Sequence, residues 1–213
     1  AVEKGLPVLQ PEKLRDAAFI EQLRSLKADL QVVVAFRMLP EVVWNMPPAG
    51  TINVHGSLLP QYRGAAPINW AVINGEKETG VTTFKLQHEI DTGNILLQKS
   101  FPVSADETAG EVHDRMKIIG AALLVETIKR LIDGSLTEQQ QPVSEHLHHA
   151  PKLFTETTKI NWNNTVEAIH NLIRGLSPFP GAQTVLDGKL LKVYRSKREP
   201  AAHDQEPGTV SSD

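Results

Sequence analysis

The chain contains no cysteine, which excludes thiolate catalysis, disulfides and Cys-ligated metals together and fits a reducing compartment. It also lacks any apolar run near the roughly 18 residues that a spanning helix needs, so no membrane role is expected. Nor is there a large charge excess. The 22 Lys and Arg stand against 25 Asp and Glu, a net −3, which rules out a uniformly basic nucleic-acid binder while leaving room for a local patch. The opening Ala1-Val2-Glu3-Lys4-Gly5-Leu6-Pro7-Val8 has no initiator Met and no basic start followed by an apolar stretch. It therefore reads as neither signal nor transit peptide, and both ends are expected to be cut.

What is present is ordinary for a globular protein: 213 residues, 40% hydrophobic and 22% charged, enough for one large domain or one and a half ordinary ones. The apolar period of Leu14, Ala17 or Ala18, Leu23 and Leu26 predicts a helix over Pro11–Asp29. Leu30–Phe36 is rich in β-branched residues and apolar apart from Gln31, as a strand covered on both faces would be. A short helix follows through Val42, Val43 and Trp44, then a strand Thr51–His55. Helix, strand, helix, strand predicts an α/β fold with a parallel-rich sheet and helices on both faces. A helix over Pro67–Asn74, strands Gly80–Leu86 and Asn94–Lys99, and a long helix Thr108–Asp133 closed by Gly134 complete this part. Residues 139–154 read as a linker after a first domain over 1–138. A smaller domain over 155–213 follows, with a helix Val166–Arg174 and a hairpin around Asp187-Gly188.

Chemistry concentrates in Asn53-Val54-His55-Gly56-Ser57-Leu58-Leu59-Pro60. Residues two apart on a strand share a face, so Asn53 and His55 project together at the carboxyl end of their strand, where open α/β sheets place ligands. An amide donor beside an imidazole suits stabilisation of an oxyanion. Equally, the pair could satisfy backbone groups near a strand end. Asp91, before Thr92-Gly93, is either a reacting carboxylate or a turn-forming residue. Leu58 and Leu59 either wall a ligand or pack on a neighbouring helix.

Asn53-x-His55-x-Ser57-Leu58-Leu59-Pro60, Arg63-Gly64-x-x-Pro67 and Asp91-Thr92-Gly93 together resemble the 10-formyltetrahydrofolate-dependent formyltransferase family. Glu78-Thr79-Gly80-Val81-Thr82 and Lys159-Ile160-Asn161-Trp162 match its connecting elements. Ile169–Pro178 resembles the start of the C-terminal domain of members that act on methionyl-tRNA. The resemblance implies a Rossmann-like formyltransferase domain lacking its N-terminal part, followed by a small, truncated OB-like β-barrel. It implies Asn53, His55 and Asp91 as the catalytic trio, 10-formyltetrahydrofolate as co-substrate and initiator methionyl-tRNA as amine acceptor. Asn53 and a protonated His55 would donate to the formyl oxygen, with Asp91 orienting His55 and assisting proton removal.

By the same resemblance, Ser57, Leu58, Leu59 and Pro60 form the folate-binding signature, with Phe36, Met38, Leu39 and Ile90 as further pocket positions. Arg63 either meets an anionic substrate group or braces its loop. Lys189, Lys192, Arg195, Lys197 and Arg198 fit tRNA phosphate contacts or a solvated hairpin, in a segment nearly balanced in charge from Pro151 onward. His146, His148 and His149 lie close together, but the family pattern asks for no metal, and none is expected. A bacterial cytoplasmic monomer is the implied setting, with an organellar form left open. A sugar-nucleotide amine formyltransferase and a catalytically silent folate- or RNA-binding module are the competing expectations.

Overall fold

β-Branched runs and helix caps locate most of the elements in the computed structural model, which describes residues 1–35, 38–143, 145–199 and 204–210. Helix α1 (Ala17–Ser25) begins where the Asp16 carboxylate accepts from the Phe19 N–H at 2.9 Å. The helix predicted from Pro11 is thus shortened, because this N-cap satisfies the first free N–H groups at residue 16. Strand β1 (Gln31–Val34), the short helix α2 (Glu41–Trp44) and strand β2 (Thr51–His55) follow. Then come β3 (Arg63–Gly64), α3 (Pro67–Ile73), β4 (Glu78–Lys85), β5 (Ile95–Pro102) and α4 (Ala109–Ile132). The last elements are β6 (His149–Ala150), α5 (Thr155–Thr158), α6 (Val166–Gly175), β7 (Ala182–Leu186) and β8 (Lys189–Val193).

The main sheet has the order β1-β2-β4-β5. β1 runs parallel to β2, but β4 is antiparallel to both β2 and β5. The expected parallel-rich sheet is therefore a mixed one. A parallel pair needs a crossover of a dozen or more residues, and the turn joining β4 to β5 is too short to provide it. β1 was expected to be covered on both faces. It lies at the sheet edge instead, with Val33 buried while Val32 and Val34 are exposed.

One sheet face is covered by α4. Val81, Phe101, Val112, Met116 and Leu123 form the principal core with Val72 of α3, and Val54 and Leu97 pack against it. Each such burial contributes about 1.5–3 kcal/mol. On the opposite face, at the end of β2, the loop from Ser57 to Gly64 packs against Thr82, Gly80 and Phe84 of β4.

The C-terminal residues build a second core from Ile160, Ile173, Leu176 and Ala182, with Ile73 of α3 packed against it. Of the expected barrel, the described residues form one two-stranded hairpin, β7-β8, and no closed barrel. The halves meet closely. A Cβ at Gly110 would stand 2.4 Å from Pro178 Cδ, and one at Gly175 would stand 2.5 Å from Ile73 Cγ1. The presumed linker is also less separate than its composition suggests, because β6 pairs in parallel with β3 and Gln139 bridges to Ile95.

Candidate active site

Alternation along β2 sends Val54 into the α4 core and turns Asn53 and His55 to the other face. Both are buried, at 4% and 7% exposure, and Asp91 at 8% joins them from the β4–β5 turn. His55 Nδ1 stands 3.8 Å from Asp91 Oδ2, an ion-pair contact too long for a direct hydrogen bond. The other ring nitrogen, Nε2, lies 2.9 Å from the Tyr62 carbonyl oxygen. A carbonyl only accepts, so Nε2 carries the proton there and Nδ1 is the ring atom turned toward Asp91. Phe84, fully buried and paired across from Asn53, meets the His55 ring edge-on at 6.3 Å and 86°. The Asn53 side-chain amide takes no hydrogen bond from any described residue. Such a nearly buried donor is available to a ligand.

The loop over this face is fastened by one hydroxyl. Thr82 Oγ1 donates to the Ser57 carbonyl at 2.6 Å and accepts from the Leu59 N–H at 3.1 Å and from Gln98 Nε2 at 2.9 Å. Gln98 Nε2 also reaches the Leu59 carbonyl at 2.9 Å. Ser57 Oγ donates to the Gln61 carbonyl at 2.6 Å. The loop then turns at Tyr62, a non-glycine residue at φ 60°, whose carbonyl holds His55. The Tyr62 side chain is buried and anchored at its hydroxyl. Its hydroxyl donates to Glu76 Oε1 at 2.6 Å, accepts from Asn74 Nδ2 at 3.1 Å and lies 3.0 Å from His148 Nδ1. Burial, reinforced by the Glu76 carboxylate, pushes the Tyr62 phenol well above its ordinary value of 10.0.

Asp91 is also a left-handed residue, at φ 55°. Its carboxylate Oδ2 accepts from the Gly64 N–H at 2.9 Å. Its carbonyl and that of Gly93 each accept from Gln141 Nε2 at 2.8 Å. Arg63, for which two roles were left open, donates through Nε and Nη2 to Gln141 Oε1 at 3.1 and 2.6 Å. It is thus held in the protein and braces this loop.

The remaining predicted residues divide. Ser57, Leu59 and Pro60 are buried, Leu59 in a small cluster with Phe84 and Ile95, so these side chains shape the loop from inside. Leu58 lies against Gly80. Met38 and Ile90 are exposed and Leu39 half-buried, while Phe36 lies outside the described residues. Of the basic residues, Lys189 is exposed and Lys192 Nζ donates to the Pro180 carbonyl at 2.9 Å. Arg195 pairs with Glu111 at 2.6 Å, Lys197 with Glu199 at 2.6 Å, and Arg198 with Glu167 and Asp106. His148 is taken up by Tyr62 and Glu76. Among the described residues no group of three or more His, Asp or Glu could hold a metal ion.

Sequence reading missed Tyr62, Thr82, Phe84, Gln98 and Gln141. Tyr62 acts on His55 through a backbone carbonyl, which no side-chain type announces. Gln141 sits in a Gln run without periodicity.

The family described as formyl transferase matches residues 2–128, and its C-terminal domain matches residues 152–213. A curated protein of Parabacteroides distasonis, methionyl-tRNA formyltransferase, is 54% identical, aligning 100% of this chain with 68% of its own length. Among solved structures, HypX from Aquifex aeolicus in complex with tetrahydrofolic acid superimposes with a TM-score of 0.69 at 22% identity. That match covers 80% of this chain and 30% of that one. A sugar N-formyltransferase from a Shewanella species gives 0.73 at 24%, covering 94% and 80%. At these identities the two structures speak to the fold alone.

Proposed function

The chain belongs to the formyl transferase family, and on that premise we propose that it transfers the formyl group of 10-formyltetrahydrofolate to the α-amine of methionyl-initiator tRNA. Asn53, His55 and Asp91 are the reacting groups in this reading. The observation that carries it is the buried face at the end of β2, where an uncommitted amide and an imidazole stand beside a carboxylate. A pure binding module has no need of all three.

The methionine amine attacks the formyl carbon, and the C=O electron pair moves onto oxygen. Asn53 Nδ2 and the protonated His55 ring donate to that oxyanion; removing one such donor elsewhere costs about 10²–10³-fold. At 3.8 Å, His55 Nδ1 and Asp91 Oδ2 are not hydrogen-bonded to each other, so Nδ1–H is open to the formyl oxygen and Oδ2 to the N–H of the attacking amine. Asp91 accepts the proton that the attacking nitrogen must lose. When the intermediate collapses, the C–N bond to the folate breaks and that nitrogen takes up a proton, so the protons balance. His55 cannot rotate freely, because its Nε2–H is fixed by the Tyr62 carbonyl. Holding two large substrates in attack geometry supplies much of the remaining acceleration.

The reaction belongs in the bacterial cytoplasm, where initiator tRNA is charged. The curated relatives are bacterial, and no described helix is long and apolar enough to cross a membrane. The test is formylation by the full-length protein supplied with 10-formyltetrahydrofolate and either methionyl-initiator tRNA or a sugar-nucleotide amine. Formyl-methionyl-tRNA is the expected product. Product only with the sugar amine would reassign the acceptor, and none with either would end the reading.

A further inference from the structure

We propose that Gln141, in the segment joining the two halves of the chain, is a positioning residue for Asp91. The inference rests on the formyl-transfer reading above, in which Asp91 takes part in proton transfer.

The Gln141 amide is the centre of a clamp. Its nitrogen donates to the carbonyls of Asp91 and Gly93, both at 2.8 Å. Its oxygen accepts from two nitrogens of Arg63, at 3.1 and 2.6 Å. Carbonyls only accept and a guanidinium only donates, so the amide has one orientation that satisfies all four contacts. Arg63 is followed by Gly64, whose N–H holds Asp91 Oδ2 at 2.9 Å. Asp91 is therefore gripped at both ends, its main-chain carbonyl by Gln141 and its carboxylate by the residue after Gln141's own partner.

This grip matters because Asp91 occupies φ 55°, a left-handed conformation that residues other than glycine keep only where surroundings over-determine it. Without the amide donors the turn can relax, and Oδ2 then swings away from His55 Nδ1. Both Gln141 nitrogen bonds end on the Asp91 turn, so its side chain serves the carboxylate's placement rather than the core. Rigid support of this kind decides how closely reacting groups keep their geometry.

The test uses the full-length protein with two substitutions. Gln141→Glu keeps an acceptor for Arg63 but faces the two carbonyls with oxygen in place of N–H. Gln141→Met keeps the volume and removes every hydrogen bond. Steady-state kinetics with 10-formyltetrahydrofolate and methionyl-initiator tRNA are measured below the thermal midpoint of each variant. Both variants should lose at least about tenfold in kcat, with either KM within about threefold. Gln141→Glu should lose activity even where the retained Arg63 contact preserves its thermal midpoint. Wild-type kcat in Gln141→Glu, or a Gln141→Met loss that merely follows its unfolded fraction, would overturn the positioning role. An inactive wild type would overturn the formyl-transfer reading and this inference with it. An active wild type with unimpaired variants overturns this inference alone.

Discussion

Thr82 has one proton to give and two lone pairs to receive with, and all three are in use beneath the loop that covers the site. Valine matches its shape but strands a carbonyl and weakens the hold on two donors in a buried place. Thr82→Val should therefore cost about 2–4 kcal/mol, read as a shift in denaturation midpoint at constant m-value. At the reacting groups, His55→Ala and Asp91→Asn should each lower kcat/KM at least about 10²-fold. Losses under about threefold would assign both side chains to structure. Asn53 and His55 were legible from their i, i+2 spacing, because a strand's alternation is a local property. Asp91 was legible only as a turn residue or as one part of a family-like set of motifs, since what brings it to His55 is the fold of the β4–β5 turn. Arg63 could not be decided from sequence, because its partner Gln141 lies far along the chain.

Among the elements, α4 shows how capping carries information about the surface. Thr108 and Glu111 form a reciprocal capping box, and Glu111 also meets Arg195 of the C-terminal segment. The Thr108 backbone N–H, then Arg195 and the Thr108 hydroxyl, hold the Glu111 carboxyl down from 4.5 to about 2. A carboxyl lowered on folding stabilises the native state above its unfolded value and loses that effect as pH falls toward the folded one. The contribution should thus be complete above about pH 4.5 and gone near pH 2. Gln at position 111 keeps the cap but not the charge. The midpoint difference between wild type and Glu111→Gln should shrink over that range, and a difference independent of pH would refute the assignment. The α4 boundaries were readable because its apolar period and caps agree. The sheet's hand of pairing was less so: β4 and β5 carry strand composition without stating direction, and only the short turn between them does. The edge position of β1 left no mark, since an apolar run looks the same at an edge as at a centre.

At the scale of the whole molecule, the two halves are tied by a buried cation. Arg174, 5% exposed, donates to Asn171 Oδ1 at 2.7 Å and to the carbonyls of Glu107 and Ser104 at 3.0 and 3.4 Å. Desolvation depresses its pKa, and the acceptors around it offset the cost of burying the charge. Arg174→Met leaves those acceptors without their donor and should cost about 3 kcal/mol. Calorimetry should show one unfolding transition in the wild type and a lower midpoint in the variant. Two separate wild-type transitions would show that the halves unfold independently. The same tightness governs what can be recombined. Because Gly110 faces Pro178 and Gly175 faces Ile73 with no room for a methyl group, a tail grafted from another protein arrives with half of a seam. A chimera should fold only if its donor and recipient both keep glycine there, so the C-terminal half of this chain is not a cassette that can be exchanged by its sequence boundary alone.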